Sequence, residues 1–405
     1  MILLLLTMGC PKPPTPPVST CSAEMSWITD PTMPSEVAES ESFCDFYQFS
    51  WQWFLAQTSP SSVQGERVFE TNRVYNPNGI TNQCSMDFVG KADFSSLLVP
   101  RTIKAEDFEH VEADGGALYD KYGNILYYGV YYSQDMCSST PKGFAPGTLE
   151  VKTSWMVLQE DSPIHYKILS GDGKLLGLVG MHMAIWTPNH PEMIWVTWQH
   201  KDNAPLCDGS SPDREWNFVS DAANQCLKKY KADEPYAVPS ECSGFDFNTP
   251  VPFTGEPPLR GEPNNVCQEY AYGNEYGPSI NGNDTGANSQ AIRDLNESLV
   301  GKHGLLSSLP MEDPMQIWSN YEMVGGLWTK GGQDSGNLPV PHKGGEPDPL
   351  SPQRGSLELT NTTMETFQQG NQSSVPNCFG CHNYKSATPL TVSHIQQNVL
   401  GISND

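Results

Sequence analysis

The sequence contains no long apolar run and few basic residues, and each shortage argues against a class of protein. The only strongly apolar run is Met1–Leu6, far shorter than the roughly 20 residues of a membrane-spanning helix. Only 23 residues are Lys or Arg, against 47 Asp or Glu, which gives a net charge of −24. Binding to nucleic acid needs a basic surface that faces the phosphates. We therefore expect no nucleic-acid partner.

Charged residues are also scarce, at 17% of the chain, whereas glycine and proline are abundant, with 35 and 34 residues. This composition favours a loop-rich, exported protein over a helical cytosolic one. Disorder is disfavoured, because 10 Trp, 16 Tyr and 15 Phe supply ample material for a core. A chain of 405 residues can form one large domain or two modest ones.

The eleven cysteines differ in their sequence context. Cys10 directly follows the apolar start, within Leu6-Thr-Met-Gly-Cys10. This arrangement resembles a bacterial lipoprotein signal, in which the cysteine becomes the lipidated first residue of the mature chain. An ordinary cleaved signal, or a start that lies further upstream, is the alternative. Cys378 and Cys381 belong to a motif described below.

Eight cysteines remain, an even number that predicts four disulfides, with unpaired buried thiols as the alternative. Disulfides persist outside the reducing cytosol, so they favour the cell envelope. The pairing stays open, because eight cysteines allow many connectivities, and Cys207 with Cys226 is only a guess from proximity in the chain. The eight are Cys21, Cys44, Cys84, Cys137, Cys207, Cys226, Cys242 and Cys267.

Hydrophobic periodicity predicts a buried aromatic helix near the N-terminus, followed by several strands. Residues 35–57 place Phe43, Phe46 and Phe54 on one helical face. From 201 to 286, four cysteines and many turn residues predict loops held by disulfides. The other predicted elements are a hairpin at 117–132, strands at 149–158, 175–187 and 193–200, of which the last two form a second hairpin, and helices at 288–300 and 315–327.

Near the C-terminus, Cys378-Phe-Gly-Cys381-His382 matches C-x-x-C-H, the signature of covalent c-type haem attachment. Two thiols on one helical turn can reach the two vinyl groups of haem, and the adjacent imidazole can bind the iron. The alternatives are a disulfide with an incidental histidine, a thioredoxin-type redox pair, and half of a zinc site. The motif therefore predicts one covalent haem c, attached through Cys378 and Cys381, with His382 as the proximal iron ligand.

The position of the motif predicts how the chain is organised around it. Only 23 residues follow His382 and none is methionine, so we expect earlier parts of the chain to cover the haem. Just before the motif, Thr362-Thr-Met-Glu365 has the form of a capping box, which predicts a helix ending at Gly370. The predicted segments are a signal-like 1–9, a proline-rich tether 10–20, an α+β body 21–356, and a haem-attachment segment 357–405 packed on the body. A separate tethered module after 356 is the alternative.

Six further pieces of sequence, spread over most of the chain, carry a resemblance to a known group. They are Phe49–Gln52, Tyr122–Asn124 with Tyr127-Tyr128, Glu150–Lys152 with Trp155, Gly177–His182, Trp195–Asn203 and Asn361–Thr366. Together with the haem motif, they resemble a poorly characterised group of bacterial exported proteins of the cytochrome c family. The resemblance implies haem and export, and it implies no established reaction.

Three histidines are candidates for the second axial ligand. If Pro188–Pro191 closes a hairpin, His182 lies opposite Trp198 and on the same face as His200. The two imidazoles could then share one metal, or one could bind the haem iron. His394 is the third candidate, because it follows the motif closely. The alternatives are hydrogen-bonded sheet histidines, a surface position for His394, and an open sixth position that would favour peroxidase-like chemistry.

Alternation along the strands also assigns the neighbours of His182. Met181 and Met183 point away from the histidine face, which argues against a copper site. Glu150 and Lys152 share one side of another strand. A solvated strand face is the expected environment of these two charges, and a buried acid–base pair is the alternative.

These observations predict an α+β fold with an antiparallel sheet, an N-terminal aromatic helix, long disulfide-stapled loops and a C-terminal haem-attachment segment. The predicted function is one-electron transfer by a mono-haem c-type cytochrome on the periplasmic side of a bacterial envelope, anchored to a membrane by lipid at Cys10. The acidic surface predicts a redox partner with a basic docking face. The alternatives are a haem- or metal-dependent, peroxidase-like enzyme acting on a small substrate, and a binding or assembly lipoprotein.

Overall fold

A computed structural model describes most of the body and parts of the C-terminal segment. The described residues are 21–38, 42–75, 82–85, 116–140, 142–170, 173–230, 237–251, 257–269, 271–272, 286–329, 353–356, 359–369, 378–382, 392–393 and 395–401. Among the helices within these ranges, none has the length and apolar character needed to cross a membrane.

An eight-stranded antiparallel sheet forms the centre of this α+β fold. Its strands are β1 Arg73–Val74, β2 Tyr127–Tyr132, β3 Leu149–Val157, β4 Lys167–Leu169, β5 Leu175–Thr187, β6 His190–His200, β7 Tyr321–Thr329 and β8 Gln353–Gly355. The strands are hydrogen-bonded in the order β1-β2-β3-β5-β6-β7-β8, and β4 pairs with β5 outside this row. The long central strands are rich in β-branched and aromatic residues, which pack well on a pleated surface.

The predicted aromatic helix is confirmed, and it covers one face of the sheet. The described α-helices are α1 Ser26–Thr29, α2 Phe43–Thr58, α3 Asp221–Lys229, α4 Ala287–Val300, α5 Cys378–Cys381 and α6 Gln396–Leu400. The aromatic helix is α2, which begins at a capping box formed by Ser42 and Asp45. Phe54 of α2 stacks on Trp198 of β6, with ring centroids 4.7 Å apart. The main hydrophobic core therefore lies between α2 and this face.

The C-terminal segment packs on the opposite face of the sheet. Three apolar clusters join it to the strands and place its described parts across β2, β5 and β6. In the first cluster, Phe367 of the segment lies with Val179 of β5. In the second, Phe379 and Val392 lie with Ala184 of β5 and Trp195 of β6. In the third, Ile395 and Val399 lie with Val130 and Tyr132 of β2.

A polar turn, Asn361–Thr363, fixes this segment to the middle of the sheet. The Asn361 side-chain amide donates to Thr197 Oγ1 at 2.8 Å, and the Thr363 hydroxyl lies 2.7 Å from the Ser154 hydroxyl. Thr362 Oγ1 donates to Gln199 Oε1 at 2.8 Å. The turn thus binds to β3 and β6 through buried side chains.

Two strand glycines allow the C-terminal segment to approach the sheet closely. A Cβ at Gly180 of β5 would lie 2.5 Å from Thr363 Oγ1, and a Cβ at Gly325 of β7 would lie 2.3 Å from Ser356 Oγ. Both distances are shorter than any real contact of a side-chain carbon. The missing side chains at Gly180 and Gly325 therefore leave the space that the segment occupies.

The predicted helix 288–300 and the strands near 149, 175 and 193 are confirmed, whereas two other predicted helices are wrong. Residues 315–327 form the short 3₁₀ helix Gln316–Asn320 and then β7, because the aromatic and glycine residues after Asn320 pair with β6. The capping-box segment forms a turn and a 3₁₀ helix, Thr366–Gln368, because its polar side chains bind the sheet. Of the hairpin at 117–132, the bridge between Tyr119 and Ile125 is present, but β2 pairs with β3.

The prediction of four disulfides is confirmed. They are Cys21–Cys44, Cys84–Cys137, Cys207–Cys267 and Cys226–Cys242. The guess that Cys207 pairs with Cys226 is wrong. A β-bridge between Leu206 and Gln268 places Cys207 beside Cys267, whereas Cys226 lies on α3 and reaches the nearby Cys242.

The disulfides that enclose longer loops should contribute more stability. In the chain-entropy account, replacing both cysteines of Cys207–Cys267 by alanine, which opens a loop with a sequence separation of 60, costs about 4 kcal/mol. The same change at Cys226–Cys242, with a separation of 16, costs about 3 kcal/mol. Urea unfolding of the two double variants measures the difference. Equal losses, or alkylation of any of the eight cysteines without reductant, would contradict this account.

Candidate functional site

The haem motif forms a single helical turn, α5, that rests on the sheet. The backbone N–H of His382 donates to the Cys378 carbonyl at 2.8 Å, so the helical hydrogen bonding continues through the histidine. Phe379 is buried in one apolar cluster with Ala184 of β5 and Trp195 of β6. The turn that the motif predicts is therefore present and is held by these strand residues.

The side chain of His382 is buried and lies against a backbone carbonyl and an aromatic ring. Its Nδ1 lies 2.8 Å from the Val392 carbonyl, and its ring lies against that of Trp195, with centroids 4.0 Å apart. A carbonyl oxygen only accepts, so Nδ1 carries the proton and the lone pair of the neutral ring is on Nε2. Metal-ligating histidines typically have this arrangement, because the second hydrogen bond fixes the ring and its tautomer. These residues fit a haem attached at the motif.

A buried polar cluster lies on the same face of the sheet as the motif. Glu150 Oε2 accepts from the Ser393 hydroxyl at 2.8 Å, and its Oε1 lies 3.5 Å from Lys152 Nζ. Lys152 pairs with His182 across β3 and β5, and His182 Nε2 lies 3.3 Å from Glu365 Oε1, in a geometry that makes no hydrogen bond. The expected solvated strand face is thus wrong for Glu150, which is 1% exposed, because the C-terminal segment covers it.

The predicted juxtaposition of His182 and His200 is wrong. His182 lies opposite Thr197 and not opposite Trp198, because the register next to the turn is irregular. A register change of one residue moves side chains to the other face of a sheet. His200 therefore lies on the α2 face with Trp198, and His182 lies on the face of the haem motif. The two imidazoles cannot share a metal.

His200 has a structural role beside a second histidine. Its ring stacks on that of His165, with centroids 4.0 Å apart and planes inclined by 10°. His200 Nε2 lies 3.0 Å from the Ile164 carbonyl, and Nδ1 accepts from the Asp202 N–H at 3.1 Å. Burial lowers the pKa of His165 to about 3 and that of His200 to about 4. Both ring nitrogens of His200 are thus engaged within the protein, and the alternative of a hydrogen-bonded sheet histidine is correct for it.

The other residues that the sequence analysis considered lie either in the main core or outside the described part of the chain. Met181 and Met183 are buried in the main core, on the face opposite His182, as the alternation predicts. His394 and Cys10 lie outside the described residues. Of the three histidine candidates, His182 is therefore the one that the described part of the chain places on the motif's face of the sheet.

Sequence reasoning missed the residues that orient His382. Trp195 belongs to one of the six sequence segments quoted above, but the pattern of that segment indicates only that Trp195 lies in a strand. Val392 orients His382 through its backbone carbonyl, and the hydroxyl of the adjacent Ser393 binds Glu150. Neither type of contact has a signature in the sequence, since both depend on how the chain returns to the sheet.

Comparisons with known proteins give no further assignment. No protein-family model, no curated protein and no solved structure matches the chain. Within the described ranges, no three or more His, Cys, Asp or Glu side chains are grouped so that they could hold a metal ion. The site is therefore interpreted from the geometry of the motif and its surroundings.

Proposed function

We propose that the protein is an exported mono-haem c-type cytochrome that transfers single electrons in a bacterial cell envelope. The observation that carries the proposal is the C-x-x-C-H turn whose histidine donates from Nδ1 to the Val392 carbonyl. A thioredoxin-type pair does not need an oriented imidazole, whereas an iron ligand does. The oriented histidine therefore favours haem over a thioredoxin-type pair.

Three side chains would hold the haem. Cys378 and Cys381 would form the thioether links, and His382 would bind iron through Nε2. When bound, a haem supplies a one-electron redox couple whose potential depends on its ligands and on burial. Trp195 packs against the His382 ring, and Phe379 lies in one apolar cluster with Trp195. An apolar shell limits the access of water to a metal site and so influences its redox potential.

The location in the envelope is part of the proposal. Four disulfides are compatible with an oxidising compartment. The lipoprotein-like sequence before Cys10 would add a membrane anchor, and covalent attachment would prevent loss of the cofactor outside the cytoplasm. A proline-rich tether at 11–17 would hold the body at a distance from the membrane.

The charge of the chain indicates the kind of redox partner. With a net charge of −24, the protein would attract a partner with a basic docking face, and salt would screen this attraction. We expect rapid electron exchange with small basic cytochromes that slows steeply as ionic strength rises. Stopped-flow reduction and reoxidation across a salt series measures it. Exchange rates that do not depend on salt would contradict the proposed docking mode.

A second candidate function is a peroxidase-like enzyme, which the polar cluster beside the motif favours. Glu150, Lys152 and His182 are ionisable side chains on the motif's face of the sheet, and such groups can serve acid–base chemistry. A peroxide turnover assay beside the electron-exchange measurement separates the candidates. Sustained turnover together with a high-spin absorption spectrum would favour the enzyme and overturn the electron-transfer proposal.

A further inference from the structure

We propose that Glu150 is a positioning residue for His382: through Ser393, its carboxylate holds the backbone carbonyl that fixes the histidine ring. The inference rests on the proposed function for the meaning of His382, but its contacts are independent of any haem. Glu150 lies on β3, far from the motif in sequence, and it belongs to no part of the C-x-x-C-H signature.

The argument begins at the histidine. His382 Nδ1 donates to the Val392 carbonyl at 2.8 Å, so the position of that carbonyl determines the direction of the ring and the identity of the protonated nitrogen. Val392 and Ser393 are adjacent, and the peptide plane between them includes this carbonyl. Any group that restrains Ser393 therefore restrains the acceptor of His382.

The restraint on Ser393 comes from a buried carboxylate. The Ser393 hydroxyl donates to Glu150 Oε2 at 2.8 Å, and both residues are buried. Breaking this hydrogen bond would leave two buried polar groups without their partner, which is costly in a protein interior. Lys152 Nζ lies 3.5 Å from the other carboxylate oxygen, Oε1.

The strand provides the rigidity that the short C-terminal segment needs. Glu150 lies within β3, where it pairs with Tyr132 on one side and with Ala184 on the other. Ala184 itself contacts the apolar cluster of Phe379 and Val392. The carboxylate thus connects the middle of the sheet to the acceptor of His382 through a directional contact, whereas the apolar contacts are non-directional.

The test measures the tautomer of His382 by nitrogen NMR in the full chain prepared without haem attachment. In the wild-type protein we expect a predominant Nδ1–H form. Ser393→Ala removes the hydrogen bond with little change in volume, and it should shift the tautomer ratio about tenfold towards Nε2–H. Glu150→Ala should give the same shift, and the double variant should add nothing further.

Two additional variants separate positioning from general stability. Glu150→Gln retains an oxygen that accepts from Ser393, so it should restore most of the wild-type tautomer ratio. Glu192→Gln is the matched control: it changes another buried strand carboxylate, which accepts from the Thr329 N–H and hydroxyl. This control should lower stability and leave the His382 tautomer unchanged.

The outcomes distinguish this inference from the proposed function. An unchanged tautomer ratio in Ser393→Ala overturns the positioning role, even if haem attaches normally. If the ratio shifts as expected but the wild-type chain never acquires haem in a host that attaches it, the positioning stands and the cytochrome proposal fails. In haem-loaded protein, Ser393→Ala should also change the reduction potential, whereas Glu192→Gln should not.

Discussion

Replacement of Gly180 by valine is expected to release the C-terminal segment from the sheet and to lower the free energy of unfolding by about 3–5 kcal/mol. A Cβ at this position would lie 2.5 Å from Thr363 Oγ1 and 2.6 Å from Ser154 Oγ. These two atoms are hydrogen-bonded to each other. The added side chain cannot be accommodated by a simple rotation, because the displaced groups would lose buried partners.

Urea denaturation of Gly180→Val measures the loss. In protein prepared without haem attachment, the accessibility of Cys378 to alkylation reports the release of the segment. Gly143→Ala is the control, because a Cβ there meets no atom within 4 Å. It should alter stability by less than about 0.5 kcal/mol. A Gly180→Val variant as stable as this control would show that the turn at Asn361–Thr363 does not dock as described.

Acidification is expected to destabilise the protein between about pH 6.5 and pH 4 through the stacked pair His165 and His200. Burial lowers the pKa of these side chains to about 3 and about 4. The unfolded chain binds protons at both positions below pH 6.5 while the folded chain does not, so unfolding takes up protons. The contribution of the neutral pair to the free energy of unfolding is therefore fully present above pH 6.5. As the pH is lowered from there, the free energy of unfolding decreases by about 1.4 kcal/mol per pH unit for each histidine.

The slope of unfolding free energy against pH isolates this contribution. His165→Phe keeps a ring that can stack on His200 and removes one titrating group, so the slope between pH 6.5 and 5 should decrease by about 1.4 kcal/mol per pH unit. His303→Asn serves as the control, since that side chain is exposed to water in the folded protein. A slope that is identical in His165→Phe and wild type would contradict the burial of a neutral pair.

Local patterns in the sequence predict those helices and strands that are determined by their own residues. The aromatic residues of α2 and the β-branched and aromatic residues of β3, β5 and β6 are visible in the sequence, and they indicate these elements without any knowledge of their partners. The helix expected at 315–327 fails because Tyr321–Thr329 pairs with β6, a contact that its own periodicity does not reveal. Here the tertiary pairing outweighs the local preference.

Contacts between distant parts of the chain account for the remaining differences. The environment of Glu150 depends on Ser393, and the pairing of Cys207 depends on the bridge that brings Gln268 beside Leu206. The face of His200 depends on one residue of register in a hairpin. For the candidate site, the sequence identifies the motif and His382, whereas the groups that orient the histidine come from the folded chain.

Single substitutions in the motif should affect the covalent attachment of haem and the ligation of its iron separately. Cys381→Ser should leave at most one thioether link, and His382→Ala should retain both cysteines but lose the normal ligand field. Absorption spectra of the two variants separate these effects. If both variants had spectra identical to that of the wild-type protein, a haem would have to be bound elsewhere.

The intact mass of the denatured wild-type protein, purified from a host that attaches haem c, tests the central claim most directly. Thioether bonds survive denaturation, so the account predicts one haem in addition to the mass of the processed chain, together with a pyridine haemochrome spectrum typical of two thioether links. A mass without the haem increment, in a colourless protein made under these conditions, would contradict the assignment of a c-type cytochrome.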